Sequence, residues 1–465
     1  VQNQAFSKLI KKPANKNPLK IACISLGCSK NRIDTEEILG YLSNLNFVVT
    51  DDPANADLVM INTCSFIEEA QKESIETLLK LAKKKQGKYP LVFAAGCLVE
   101  TAGTPLLNML PEIDGAIGVH SYKHLKRFIK LLLTGKRAVI KIKAPSIYSP
   151  LAKRILSRSA HSANVKIAEG CNNNCSYCLI PKIRGPYRSR NTEDIVEEIR
   201  NLLEHGTREI VLIAQDTTAY GSEQGSAEDL ASLVNKILKL NYRFWLRIMY
   251  TYPARINKNL ITEMANDSRV CNYLDIPLQH ASEKILSGMK RHYSREKINL
   301  LLTKLRSVLP GIAIRTTVMV GFPGEGKNEF EELKSFVEKN QFEHLGAFIY
   351  SNQFGTTADL MPDKVPARVA AKRYRSIMFT QQKISHYLNH KFVGKKKVVI
   401  IDRKLENHHN IYFGRTEEQA PEVDGGVYIY TKIDLKVGDW ITAKIISASA
   451  YNLFAVLVCV HAELP

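Results

Sequence analysis

No apolar run in this sequence approaches the roughly 18 residues that a membrane span needs, so no transmembrane helix is expected. The first twenty residues hold five lysines and no apolar core, which argues against a secretory leader. No G-x4-G-K-[ST] phosphate loop occurs, because the "GEGKNE" beginning at Gly324 lacks the spacing. A recognisable Ser/His/Asp constellation is absent, and so are internal repeats and low-complexity tracts. Acid is missing from two stretches: residues 1–20 carry five Lys/Arg and residues 121–168 carry twelve, with no Asp or Glu in either. Together these stretches supply 17 of the 19 excess positive charges. Two readings stand for them, solvated segments or a surface that meets RNA or a ribonucleoprotein. The nine cysteines are odd in number and come without an export signal. That combination argues against a disulfide framework and for a reducing, cytoplasmic setting where thiolates serve metals or catalysis.

The 465 residues are too many for one core. Apolar strands "LKIACISLG", "ADLVMINT", "PLVFAAG" and "IDGAIGV" alternate with helical patterns, which predicts a doubly wound parallel α/β domain over 19–134. One of these helical patterns is expected to open at Asp34 as its cap. A basic linker is expected over 135–162. A second series follows over 163–390, with strands at "VKIAEG", "EIVLIAQ", "FWLRIMY", "YLDIPLQ", "IAIRTTVMVG" and "HLGAFIY". Six βα units make a partial (βα)6 barrel. After a helix at about 366–390, five short strands with turns predict a small five-stranded antiparallel β-barrel of the OB-like kind over 391–465. The fold class is α/β with that terminal barrel.

The cysteines carry the chemistry. Cys171, Cys175 and Cys178 lie in one short loop with no fourth cysteine or histidine beside them. A closed zinc tetrahedron wants four ligands. Three thiolates suit a four-iron four-sulfur cubane with one iron open, and an open iron chelates an amine and a carboxylate, which S-adenosylmethionine offers together. Cys28, Cys64 and Cys97 follow the first three strands, at the carboxyl ends where open α/β sheets bind ligands. Singly each reads as a buried small hydrophobe; together they suit a second three-thiolate cluster. Cys23, Cys271 and Cys459 lie inside apolar strand patterns and read as core.

The spacing C-x3-C-x2-C with Tyr177 before the last cysteine, just after the first strand of a (βα)6 series, resembles the radical S-adenosylmethionine superfamily. Two such triads, an α/β domain in front and a small barrel behind resemble the methylthiotransferases over about residues 19–464. The resemblance implies two 4Fe-4S clusters. Cys171, Cys175 and Cys178 would be the catalytic ligands of the radical-generating cluster, with Tyr177 and Gln215 at the cofactor. Cys28, Cys64 and Cys97 would hold the auxiliary cluster that presents sulfur. S-adenosylmethionine would serve as methyl donor and radical source, the last domain would be a TRAM domain engaging substrate, and the electron donor would be a protein such as flavodoxin or ferredoxin.

"SLGCSKNRIDTE" (25–36), "AQDTTAYG" (214–221), "LDIPLQHAS" (274–282), "IRTTVMVGFPGE" (314–325) and "PEVDGGVYI" (421–429) are similar to the branch that modifies an aspartate of small-subunit ribosomal protein twelve, free or on the ribosome. The other branch modifies an adenosine of tRNA by the same chemistry. "YSNQFGTTA" departs from the first branch, with Asn352 where proline is expected. Residues 391–465 hold ten Lys/Arg and nine Asp/Glu, and with the acidic run "TEEQAPEVD" they suit a basic protein partner better than RNA. Lys182, Arg184, Arg188 and Arg190 are read either as contacts to the cofactor carboxylate or substrate, or as solvated loop charges. Asp216, beside Gln215, faces the cofactor or caps a turn; Gly321, Pro323 and Gly324 make a turn beside the adenosine or a purely structural one.

Overall fold

A computed structural model describes residues 18–144, 154–156, 161–223 and 228–464, apart from single positions 46, 66, 86, 88, 407, 409 and 463. The basic arm before residue 18 and most of 145–160 lie outside the described residues. The chain divides into two compact units. The first takes residues 1–158 and regains the chain at Ala168–Asn174 and Cys178–Arg190; the second takes Ser159–Ile167, Cys175–Tyr177 and everything from Asn191 onward.

The first unit is built on a six-stranded parallel sheet. Its strands are β1 (Lys20–Ser25), β2 (Val48–Val49), β3 (Leu58–Thr63), β4 (Leu91–Gly96), β5 (Gly115–Ile117) and β6 (Ala138–Ile140), in the order 2-1-3-4-5-6. Every residue of β3 and β4 is buried, because side chains alternate between two covered faces. Leu58, Met60 and Phe93 enter one core with Ile38, Leu42 and Phe128. Val59, Ile61, Val92 and Ala94 enter the other with Leu78, Leu98 and Val99. Two strands lie outside the four read from sequence. β2 is two exposed residues, and β6, inside the expected linker, is half-buried throughout. Neither has an apolar run to announce it.

The helix after β1 spans Ser29–Ser43, with Cys28 at its N-cap position. Asp34 is therefore inside the helix and does not cap it. It is buried, and its carboxylate accepts from the Arg184 guanidinium at 2.7 Å. Sequence patterning placed the start late because this helix buries Lys30, Asn31, Thr35, Glu36 and Glu37 as well as its apolar residues.

The second unit carries six parallel strands in two sheets. β7 (Ser162–Lys166) pairs with β10 (Glu209–Ile213), which pairs with β11 (Trp245–Ile248); β12 (Tyr273–Asp275) pairs with β13 (Ala313–Val320), which pairs with β14 (His344–Ile349). Thr251 N–H donates to Asp275 O at 3.0 Å where the sheets meet. These are the six strands of the expected partial barrel. Between β7 and β10 the chain forms β8 (Ala168–Glu169) and β9 (Arg188–Ser189), an antiparallel pair in the first unit.

The helix Ala367–His390 leads to a closed barrel of β15 (Lys396–Lys404), β16 (Ile411–Arg415), β17 (Val427–Tyr430), β18 (Trp440–Ala448) and β19 (Leu453–His461). Its neighbours are antiparallel except β17 and β19, which run parallel. Arg403, Phe413, Tyr428 and Phe454 are consecutive register partners across four strands and form a row on the outer wall. Cys459, expected in the core, is exposed. A register shift between Thr442 and Ala443 breaks the alternation of β19 just before it.

The barrel docks on the amino ends of the core strands. Glu209, at the start of β10, receives Arg415 at 2.7 and 3.1 Å and Arg247 at 2.9 Å. Arg415 continues to Asp402 at 2.8 Å, and Asp402 meets His161 at 2.8 Å. Burial pushes the Glu209 carboxyl up, but the two guanidiniums outweigh it and hold the group far below the carboxylate range. Asp424 takes Arg315 at 3.0 Å and Tyr273 Oη at 2.8 Å. Glu417 accepts from Asn272 N–H at 3.1 Å, and Glu418 pairs with Lys397. Three acids of the run, Glu417, Glu418 and Asp424, are therefore engaged inside the unit, while Glu422 is exposed. Setting aside Asp402, Glu417, Glu418 and Asp424 with Lys397 and Arg415 leaves the barrel sequence eight Lys/Arg against five Asp/Glu.

Candidate functional site

In the first unit the order 2-1-3 puts a topological switch point between β1 and β3, where an open sheet leaves a crevice at its carboxyl edge. Cys28 follows β1, Cys64 follows β3 and Cys97 follows β4, the next strand along. Cys64 and Cys97 are buried and Cys28 is exposed at the mouth. Two glycines allow the approach. Gly27 has φ +81°, and a Cβ on it would stand 2.8 Å from Cys64 Sγ; Gly96 has φ +94°, and its Cβ would fall 2.2 Å from Asn62 Oδ1.

Asn31 ties the strand ends together. Its Nδ2 donates to Leu26 O at 3.0 Å and Thr63 O at 2.9 Å. Its Oδ1 lies 3.6 Å from Cys97 Sγ and accepts from Arg184 Nη2 at 2.6 Å. Arg184 itself donates to Asp34 at 2.7 Å and to Glu169 at 3.1 Å, and its Nη2 points at Cys97 Sγ at 3.5 Å. Desolvation pushes the Cys97 thiol up to about 12 against the opposing pull of Arg184. Among the described residues no three His, Cys, Asp or Glu side chains are gathered as one metal ion would require.

The residues of the second triad divide between the two units. In the first, Cys171 N–H donates to Gly185 O at 3.1 Å, and Cys171 Sγ accepts from Asn173 N–H at 3.4 Å. Cys178 Sγ accepts from Ile180 N–H at 3.4 Å. Arg184, Arg188 and Arg190 are buried, so the solvated-charge reading fails for them; Lys182 alone of the four is exposed. In the second unit, Ser176 N–H donates to Met289 O at 3.1 Å and its Oγ donates to Gly288 O at 2.7 Å. Tyr177 lies edge-on to Phe322 in a cluster with Met289 and Ala358. Gln215 is half-buried just past β10, and Asp216 next to it pairs with Arg255 at 2.6 Å.

Arg291 was not among the residues singled out from sequence. It is buried, and its Nη1 donates toward Cys175 Sγ at 3.8 Å. Nη2 donates to Pro277 O at 2.5 Å and Nε to Tyr293 Oη at 2.6 Å, with the Tyr252 and Tyr293 rings 4.5 and 5.1 Å away. Asn31 and Arg291 sit far in sequence from the sulfurs they approach, so no local motif marks them. At the Gly321 turn a Cβ would meet Ala370 Cβ at 2.7 Å, so close packing requires glycine there. The turn is closed by Glu325, which Arg373 holds at 3.1 Å.

Comparison with known proteins matches each part of this architecture. The profile of uncharacterized protein family UPF0004 covers residues 20–118, that of the radical SAM superfamily 165–337 and that of the TRAM domain 393–458. A radical S-adenosylmethionine methyltransferase from Kitasatospora setae, TsrM, shares the fold with a TM-score of 0.55 at 15% identity, over 73% of this chain and 74% of that one. Together these define a radical-SAM protein with an α/β domain before its core and a TRAM barrel after it. The chain is 42% identical to the ribosomal protein uS12 methylthiotransferase RimO of Clostridium acetobutylicum over 94% of its own length and 98% of the relative's. It is 40% identical to the RimO protein of Trichlorobacter lovleyi, again over 94% and 98%. The chain belongs to the RimO family.

Proposed function

We propose that this protein is a radical S-adenosylmethionine methylthiotransferase that places a methylthio group on the β-carbon of one aspartate of ribosomal protein uS12. The observation that carries the reading is the likeness to RimO proteins along nearly the whole chain. The charge of the terminal barrel no longer supports it, because the acids that made the barrel neutral are buried in the docking contact. The branch motifs still favour uS12 over a tRNA adenosine. The domains are taken as 19–134, 163–390 and 391–465, and the setting as the cytoplasm, with a flavodoxin or ferredoxin as reductant.

The two cysteine triads fit cubane clusters. A cubane asks for one thiolate at each of three irons, a wider spacing than one ion needs, and each triad meets a buried guanidinium near one sulfur. When bound, the clusters and S-adenosylmethionine would supply electron transfer, a radical source and a transferable sulfur. The chain's part is to hold and shield. Asn31 fixes the relative height of the Cys28 and Cys64 strand ends. Backbone N–H groups of Asn173 and Ile180 stabilise negative charge on Cys171 and Cys178 sulfur. Met289 and Gly288 carbonyls anchor the Ser176 turn beside Cys175, and the apolar Tyr177–Phe322 wall keeps water from that side.

The test is direct. Anaerobically reconstituted protein with reductant, S-adenosylmethionine and a sulfide source should add about 46 Da to uS12, a methylthio group replacing hydrogen, and leave tRNA unmodified. Modified tRNA with unmodified uS12 would overturn the substrate assignment. Iron should be about eight per chain, following from two four-iron clusters, and about four when Cys28, Cys64 and Cys97 are replaced by Ala.

A further inference from the structure

Five guanidinium groups set into the interior of this chain are neutralised by carboxylates. Arg184, Arg247, Arg315, Arg373 and Arg415 each meet a carboxylate within 3.1 Å. That is expected, since burying a charge without a counter-charge costs several kcal/mol. Arg291 breaks the pattern. Among the described residues it has no carboxylate partner; its hydrogen bonds go to Pro277 O, Tyr293 Oη and Cys175 Sγ. Two tyrosine rings flank its guanidinium, which limits its freedom to swing away. The turn that carries it is the same turn that anchors Ser176, so Arg291 and Cys175 are held in register through two backbone carbonyls.

We propose that Arg291 is the built-in counter-charge of the cluster on Cys171, Cys175 and Cys178: its guanidinium donates to Cys175 Sγ and raises that cluster's reduction potential. The reasoning is electrostatic. Reduction adds one negative charge to a thiolate-bound cluster, and a fixed positive charge beside a ligand sulfur stabilises the reduced form more than the oxidised one. Low local polarity strengthens the effect. Arg184, near Cys97, is a contrasting case, because Asp34 and Glu169 already balance its charge. The inference deepens the proposed function, resting on the reading of the 171–178 loop as a cluster loop.

The experiment isolates one cluster. A full-length chain with Cys28, Cys64 and Cys97 replaced by Ala, reconstituted anaerobically, is compared with the same chain carrying Arg291→Met or Arg291→Lys. Iron content and a potentiometric titration followed by electron paramagnetic resonance are read. All three should hold about four irons. Arg291→Met should lower the midpoint by about 59 mV, a tenfold shift in a one-electron equilibrium, and Arg291→Lys, which keeps the charge, should fall between. An unmoved midpoint in Arg291→Met with iron retained overturns the inference. Loss of iron from both variants also overturns it, since packing would then be the role. Loss from Met alone, with Lys retaining iron, supports the charge. If the background chain itself lacks about four irons, the cluster reading falls, and the failure is identified because Arg291 is intact there.

Discussion

A single buried imidazole gives this protein a pH dependence. His280 has no exposed surface; its Nδ1 accepts from Ser282 N–H at 3.0 Å, while Nε2 has no hydrogen-bond partner among the described residues. Burial pushes it down to about 3, against an ordinary value near 6.5. The unfolded chain therefore takes up the proton first, so the stability contribution is complete above about pH 6.5 and falls as pH drops toward 3. Between pH 7 and 5 the wild type should lose about 2 kcal/mol more than His280→Gln, measured by urea unfolding at both values. A parallel loss in the two proteins would refute this account. At the same scale, the placement of Cys28, Cys64 and Cys97 at strand ends was legible because it follows from local patterning. Asn31, Arg184's partners and Arg291 were not, because their meaning lies in contacts with residues distant along the chain. Asp34 was misread as a cap for the same reason: its partner is 150 positions away.

Between elements, the contact to weigh is β10 against the barrel. Glu209 is wholly buried between two guanidiniums, and removing its charge leaves Arg247 without its carboxylate and Arg415 with Asp402 alone. Glu209→Gln should cost about 3–5 kcal/mol, the range for breaking a buried pair from one side, seen as a lower thermal midpoint and faster proteolysis before β15. Lys72→Ala, which removes the exposed Lys72–Glu68 pair, should leave the midpoint unchanged. Equal effects would show that the docking network has no special weight. The long strands here were legible from their runs: β3 and β4 apolar throughout, β13 alternating along most of its length. β2 and β6 were not, because two or three half-exposed residues carry no period. The acidic run 416–424 shows the limit of composition: its charges were counted correctly, but which face they occupy is decided by Arg315, Asn272 and Lys397 elsewhere in the chain.

For the molecule as a whole, the placement of the barrel matters more than its charge. The barrel sits at the amino ends of the core strands, and Cys175 with its Arg291 turn lies beyond their carboxyl ends. The outward row of Arg403, Phe413, Tyr428 and Phe454 belongs to the barrel. On the proposed function, Tyr428→Ser should raise KM for uS12 and leave kcat and deoxyadenosine formation unchanged, as lost uniform binding does. A fall in kcat instead would place that wall at the reacting atoms.

The separation is set by backbone length. β13 is eight residues long, and at about 3.3 Å per residue it spans roughly 26 Å. A substrate gripped by the barrel is thus gripped one strand away from where hydrogen would be abstracted. On the proposed function the core would then act as a caliper, and intact uS12 should be modified while a short peptide carrying the same aspartate should not.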